Sequence, residues 1–179
     1  MTGAAGTADQ ARAALRCEEL LQETLLAVRP GLTWSHGVPS AGLLARTGAV
    51  DSTSDPAPPT WFVARNRNVL TVISPARRGA LLGVVERHWR ACGHTLTGAN
   101  ADRESPGLYA ATADGFRLAL DFGVLGNAYL TALSPGVARS EQVPHPPGTP
   151  GIARHPGTAV DLAPPPAVYC SFWSAHAPG

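Results

Sequence analysis

The densest run of chemistry-bearing residues in this chain is Ser74-Pro75-Ala76-Arg77-Arg78-Gly79. Ser can cap the free amides of a helix start, and Pro suits the first helical position. Two Arg in that first turn oppose the helix dipole, at a cost of up to about 0.3–1 kcal/mol each. Free amides, a hydroxyl and two guanidinium groups together suit a phosphate or carboxylate, which makes Ser74, Arg77 and Arg78 the candidate anion-binding residues. The plainer reading sends both Arg into solvent or over neighbouring apolar surface.

Other combinations are weaker. His36, His88 and His94 form neither an HxxxH nor an HxH pair, and no Cys stands at ligand spacing from them, so no metal site is expected. His88 falls on the apolar face of its helix and reads as a hydrogen-bonded core residue. Glu86 and Asp121 are the nearest thing to a carboxylate pair, but nothing in the sequence brings them together. Gly-x-Ser-x-Gly and phosphate-loop patterns are absent, which argues against the common hydrolase and nucleotide routes. No catalytic residue and no cofactor are assigned. Cys17, Cys92 and Cys170 form no CxxC, and Cys17 and Cys92 are expected as buried free thiols on helices.

Composition sets the frame for these residues. A chain of 179 residues holds one ordinary domain with some length to spare, and 19 Gly with 17 Pro are too many for all of it to pack. Net charge is +1, but residues 61–93 carry six Arg against Glu86 alone. Such a patch is the footprint of an anionic partner or, more plainly, a set of solvated Arg on exposed faces. No nucleic-acid partner is expected. No apolar run reaches the length of a membrane span, and the opening Met-Thr-Gly-Ala-Ala-Gly lacks the basic start and apolar stretch of an export signal. As written, the chain reads as soluble and cytoplasmic.

The elements that would position these groups follow from periodicity. Thr7 and Gln10 form a capping-box pattern, so a helix is expected from about Ala8, with Ala14, Cys17, Leu21, Leu25 and Val28 as its apolar stripe and Pro30-Gly31 as its stop. Trp34 to His36 reads as a short strand, and residues 37–60 as an irregular loop. Val63 to Ile73 is either one bent strand or a hairpin turning at Asn66-Arg67. A helix over 75–92 follows, with Leu81, Val84, Val85, His88, Trp89 and Cys92 on one face and Gly93 as its left-handed stop. Asp114-Gly115 predicts a two-residue hairpin turn. That turn sets Ala113 against Phe116, Ala111 against Leu118 and Tyr109 against Leu120 on one buried face, leaving Thr112, Arg117 and Asp121 on a wet one. Ala128 to Leu133 is a further strand.

The expected fold is therefore α+β: a single small domain over residues 1–136, with an N-terminal and a central helix packed on an antiparallel sheet of four to five strands. Ten of the 17 Pro fall in the last 46 residues, so 137–179 is expected to be a disordered, solvent-exposed Pro-rich tail. Its terminal aromatic cluster, Tyr169 to Trp173, is expected to dock back on the domain.

The run from Ile73 to Leu120, ISPARRGALLGVVERHWRACGHTLTGANADRESPGLYAATADGFRLAL, resembles a family of small secreted lipoproteins of actinomycetes to which no activity is assigned. The tail Phe172 to Ala175 resembles the end of the same sequences, and the likeness spans about Leu20 to Leu133. It implies an envelope location, secreted or membrane-anchored, rather than a chemistry. Members typically carry a Cys near the position of Trp61 and another at that of Gly136, both absent here, together with an export signal and a lipid-attachment Cys. The joint absence suits a lost disulfide between the first core strand and the last.

Two functions from different classes follow. The first is a non-catalytic envelope-associated interaction or binding module with an unidentified protein partner. The alternative is a binder or enzyme for a small anionic ligand at the start of the 75–92 helix, which requires Arg77, Arg78 and a polar group of another element to share one pocket.

Overall fold

The computed structural model describes residues 8–44, 58–147 and 164–175. Two helices, α1 (Gln10–Ala27) and α2 (Pro75–Ala91), lie with seven strands: β1 (Trp34–His36), β2 (Ser40–Leu43), β3 (Trp61–Val69), β4 (Thr95–Asn100), β5 (Gly107–Ala111), β6 (Arg117–Phe122) and β7 (Ala128–Leu133). All pairings are antiparallel in the order β1-β3-β7-β6-β5-β4, with β2 beside β1 on the same edge of β3. The α+β class holds. The sheet has seven strands rather than four to five, because the short Ser40–Leu43 segment pairs with β3 inside what reads as irregular loop and Thr95–Asn100 adds an edge strand beside β5. Thr7 and residues 45–57 lie outside the described residues.

Helix α1 starts two residues later than its capping box suggests, at Gln10 rather than Ala8. Asp9 is the N-cap, and its Oδ1 accepts from the Arg12 N–H at 2.9 Å. The stripe Ala14, Cys17, Leu21, Leu25 and Val28 is buried. Helix α2 begins at Pro75 and ends in a Schellman motif: Gly93 at φ +78 donates to Arg90 O, and His94 donates to Trp89 O. Only Leu81, Val85 and Trp89 of its expected face are buried. Val84 and His88 are half-buried and Cys92 is exposed, so the stripe in contact with the sheet is narrower than the sequence suggests. A buried relay ties the helices together: Trp89 Nε1 donates to Thr24 Oγ1 at 3.0 Å, and that hydroxyl donates to Leu20 O at 2.8 Å.

Strand β3 runs unbroken through Asn66-Arg67, so there is no hairpin there. The β5–β6 register differs by one residue from the Asp-Gly expectation. Ala111 pairs with Arg117, Ala110 with Leu118 and Leu108 with Leu120. The loop holds three residues, Ala113, Asp114 and Gly115, with only Gly115 at positive φ (+87). The Thr112 side chain closes it, accepting from the Phe116 N–H at 2.9 Å. Because strand side chains alternate, this single step moves Tyr109 and Ala111 to the outer face and Thr112 to the inner one. Leu108, Ala110, Leu118, Leu120 and Phe122 form the inner face. Leu118, 2% exposed, is expected to cost about 2–5 kcal/mol when cut to Ala, read as a lower denaturation midpoint at unchanged slope.

Residues 137–147 and 164–175 carry no helix or strand and most of them are exposed, but both segments are anchored to the domain by a few contacts. Each serves a helix start. Ala138 O accepts from Gln10 N–H at 3.0 Å, and Ser140 Oγ accepts from Ala11 N–H at 3.0 Å, both at the beginning of α1. Trp173 O accepts from Ser74 N–H at 2.9 Å at the beginning of α2. These contacts satisfy amides that would otherwise need water or a ligand. Val137 and Trp173 are core residues at 5% and 1% exposure. Residues 148–163 lie outside the described residues. Among the described residues no helix is long and apolar enough to cross a membrane.

Candidate functional site

The three residues of the α2 start do not converge. Ser74 is buried, makes no side-chain cap, and donates its hydroxyl to Ala175 O. Arg77 places its guanidinium 4.4 Å from the ring centre of Phe172, in the same C-terminal segment. Arg78 points the other way: Nη1 donates to Glu104 O at 2.6 Å, and the group lies 5.5 Å from the Phe122 ring. A cleft of about 440 Å³ runs beside it, lined by Pro75, Gly79, Leu82, Asp102, Arg103 and others. Arg77 does not line that cleft, and the acidic Asp102 does.

The remaining candidates are also apart. His36 stands edge-on to Trp34 with ring centres 5.2 Å apart, whereas His88 lies at the far end of α2. Rather than sitting in the core, His88 lies 3.8 Å by Nε2 from the exposed Cys92 Sγ, one helical turn along. Glu86 accepts from Arg90 at 2.9 and 3.1 Å, and Asp121 accepts from the Tyr109 hydroxyl at 2.6 Å. No three His, Cys, Asp or Glu side chains gather as a metal site among the described residues. Burial pushes the Cys17 thiol up to about 12, which makes it inert.

Two arrangements escape a linear reading. Arg65 and Arg67 face inward from β3, at 2% and 3% exposure, instead of lying on a solvated face. Both pair with Glu18 of α1: Arg65 Nε lies 3.5 Å from Oε1, and Arg67 Nη2 makes a short contact with Oε2. Arg67 also stacks 4.7 Å from the Trp34 ring centre, and Arg65 donates to Pro144 O at 2.9 Å. The alternation Val63, Arg65, Arg67, Val69 puts all four on one face, and that was the available signal.

His145 sits on this cluster, with Nδ1 3.4 Å from Arg65 Nη2. Burial lowers the His145 pKa, and Arg65 lowers it further against the opposing pull of Glu18. Burial and Arg67 lower His36 in the same way, again against Glu18. His94 is lowered by burial, Arg16 and His88, with Glu23 and Asp114 opposing. A His held neutral by the fold binds more protons when unfolded, so stability rises with pH. Their contribution is complete above the ordinary value near 6.5 and is lost as pH falls through it towards the depressed folded values. The melting midpoint is therefore expected to drop between pH 7.5 and pH 5. Replacing His36, His94 and His145 by Gln should flatten that slope.

The second arrangement is the outer face of the sheet. Both helices contact the inner side, and on the outer side Tyr109, Ala111, Ala119, Asp121, Tyr129, Thr131 and Leu133 are only half-buried. Register brings small residues together there. Ala119 pairs with Thr131 and Tyr109 with Ala119, while Ala111 and Leu133 both pair with Arg117. The result is a depression of about 540 Å³ floored by Ala111, Ala119 and Thr131 and walled by Tyr109, Leu133 and Arg117.

The fold and this face define a two-layer α+β domain in which, among the described residues, the helices lie on one side of the sheet. No family model matches the chain, and no curated protein is similar to it. Among solved structures, the crystal structure of a DUF4853 family protein from Actinomyces odontolyticus is similar at 12% identity and a TM-score of 0.44, covering 86% of this chain and 82% of that one. The segments around Trp61 and Gly136 are neighbours in the fold. Trp61 and Val137 exchange two backbone hydrogen bonds of 2.9 Å, and a Cβ on Gly136 would lie 3.1 Å from Thr60 Cβ.

Proposed function

We propose that the protein is a non-catalytic binding module whose working surface is the open face of its sheet. One observation carries this reading: among the described residues both helices lie on the other side of the sheet, and the largely apolar depression on this face has the size of a ligand site, typically about 300–1,000 Å³. The chemistry-bearing groups support binding over catalysis, since Glu86, Asp121, Ser74 and Arg77 are each committed to a structural contact. The sequence resemblance adds an envelope location to the proposal.

The test is a photo-crosslinker, benzoylphenylalanine, placed at position 119 or, as a control on the exposed side of α2, at position 90. Illumination in an envelope extract is expected to give an adduct, read by mass, at 119 only. Equal adducts at both positions, or none at 119, would overturn the reading. Detecting the native protein outside the envelope fraction would remove its envelope component.

A further inference from the structure

The depression on the outer face has one feature that its apolar floor does not explain. Arg117 stands at its wall, exposed, and forms no ion pair or hydrogen bond with any described residue. Other Arg side chains near the sheet are engaged: Arg65 and Arg67 by Glu18, Arg16 by Glu19 and Asp114, and Arg78 by Glu104 O and the Phe122 ring. Asp121, the acidic group of the same strand face, is held by the Tyr109 hydroxyl at 2.6 Å. Gly107 makes room for that bond, since a Cβ there would lie 2.6 Å from Asp121 Oδ1 and 2.8 Å from the Tyr109 hydroxyl. The carboxylate is thus turned towards β5, and the lining of the depression carries a single charge, positive, at one end.

We infer that this depression binds an apolar monocarboxylate, with its hydrocarbon body on Ala111, Ala119 and Thr131 between Tyr109 and Leu133 and its carboxylate on Arg117. The inference rests on the open-face reading and gives it a ligand class. Charge complementarity selects the occupant. A neutral apolar body would leave Arg117 idle, and a polyanion would find one cation and no second donor of that sign among the lining residues. A planar guanidinium takes a carboxylate through two parallel hydrogen bonds, which also fixes the direction in which the ligand lies. Larger side chains at the floor would fill the space. Ala119, which pairs with Thr131 on one side and Tyr109 on the other, lies at its centre.

The test uses the intact protein and two probes, decanoate and 1-decanol, with 1-naphthoate as a second acid of different shape. Binding is followed by backbone amide shifts at low salt. Decanoate is expected to move the amides around Ala111, Arg117, Ala119 and Thr131 saturably. Arg117→Gln should weaken it by about two- to fivefold, the range of an exposed charge pair. Ala119→Phe should abolish it, and because Ala119 is half-buried on the outer face the variant's melting curve shows whether the fold is intact. Saturable naphthoate binding in place of decanoate would keep the carboxylate assignment and make the body a ring rather than a chain. Equal binding of decanol and decanoate, indifference to Arg117→Gln in a folded protein, or no saturable shift with either acid would overturn the inference. If crosslinking at position 119 still succeeds in that last case, the open-face reading stands and only the ligand class falls.

Discussion

Replacing Glu18 by Ala is expected to destabilise the protein by about 3–5 kcal/mol, the range for leaving a buried charge without its partner. Glu18 is the only carboxylate that the described residues bring to Arg65 and Arg67, whose side chains are 2% and 3% exposed. Each guanidinium is a cation held out of water, so removing Glu18 leaves two buried charges without a counter-charge. Backbone carbonyls and the Trp34 ring share part of the load, through Arg65 to Pro144 O and Ala64 O and through Arg67 to Asn66 O. Glu18→Gln keeps the shape and removes only the charge, so it should retain less than half of the loss if packing dominates and most of it if electrostatics does. The companion experiment replaces all three groups by apolar residues of similar volume. That variant is expected to match the wild type or exceed it by about 1–4 kcal/mol, because the desolvation of three ions disappears together with their attraction. A Glu18→Ala protein within about 0.5 kcal/mol of wild type would show that solvent reaches both guanidinium groups.

The same cluster shows where the sequence is legible. Helix α2 could be read because its start, stripe and stop are local: Ser74-Pro75, Leu81, Val85 and Trp89, then Gly93. The burial of Arg65 and Arg67 could not be read from charge, since a run of six Arg over residues 61–93 looks like a solvated surface until Glu18 of another element is placed opposite. Strand β2 was missed because Ser-Ala-Gly-Leu has no β-branched residue and depends on β3 for its conformation.

The outer-face depression was hidden by a single residue of register. Asp114-Gly115 fits a two-residue turn, but Asp114 keeps negative φ and Thr112 supplies the side-chain bond that favours three residues. With the shorter turn, Tyr109 and Ala111 would have belonged to the core, and no site would have formed around them. The α2-start anion candidates failed to meet for a different reason. Ser74 and Arg77 are engaged by residues about a hundred positions later, a contact that no local pattern encodes.

That late segment is the basis of a second large effect. Trp173→Ala is expected to cost about 3–5 kcal/mol, since it empties a site in which the indole is 1% exposed. The indole also carries a directional bond, Nε1 to Pro30 O at 2.7 Å, and meets Phe172 edge-on with centres 4.8 Å apart. Trp173→Phe separates the two contributions. It keeps most of the apolar area but leaves the Pro30 carbonyl without its donor, a loss of about 1–3 kcal/mol. The main chain around the indole gives an independent readout. Ser74 N–H donates to Trp173 O, Val72 N–H donates to Val168 O, and Ser174 Oγ donates to Val72 O at 2.7 Å. If the indole anchors the segment, hydrogen exchange at Ser74 and Val72 should accelerate in Trp173→Ala far more than at Leu118, which sits in the central sheet. Unchanged protection at Ser74 and Val72, with a loss below about 1 kcal/mol, would mean that the backbone bonds hold residues 164–175 without the indole. Acceleration at all three positions alike would instead mark the segment as part of the global folding unit, with no separate opening of its own.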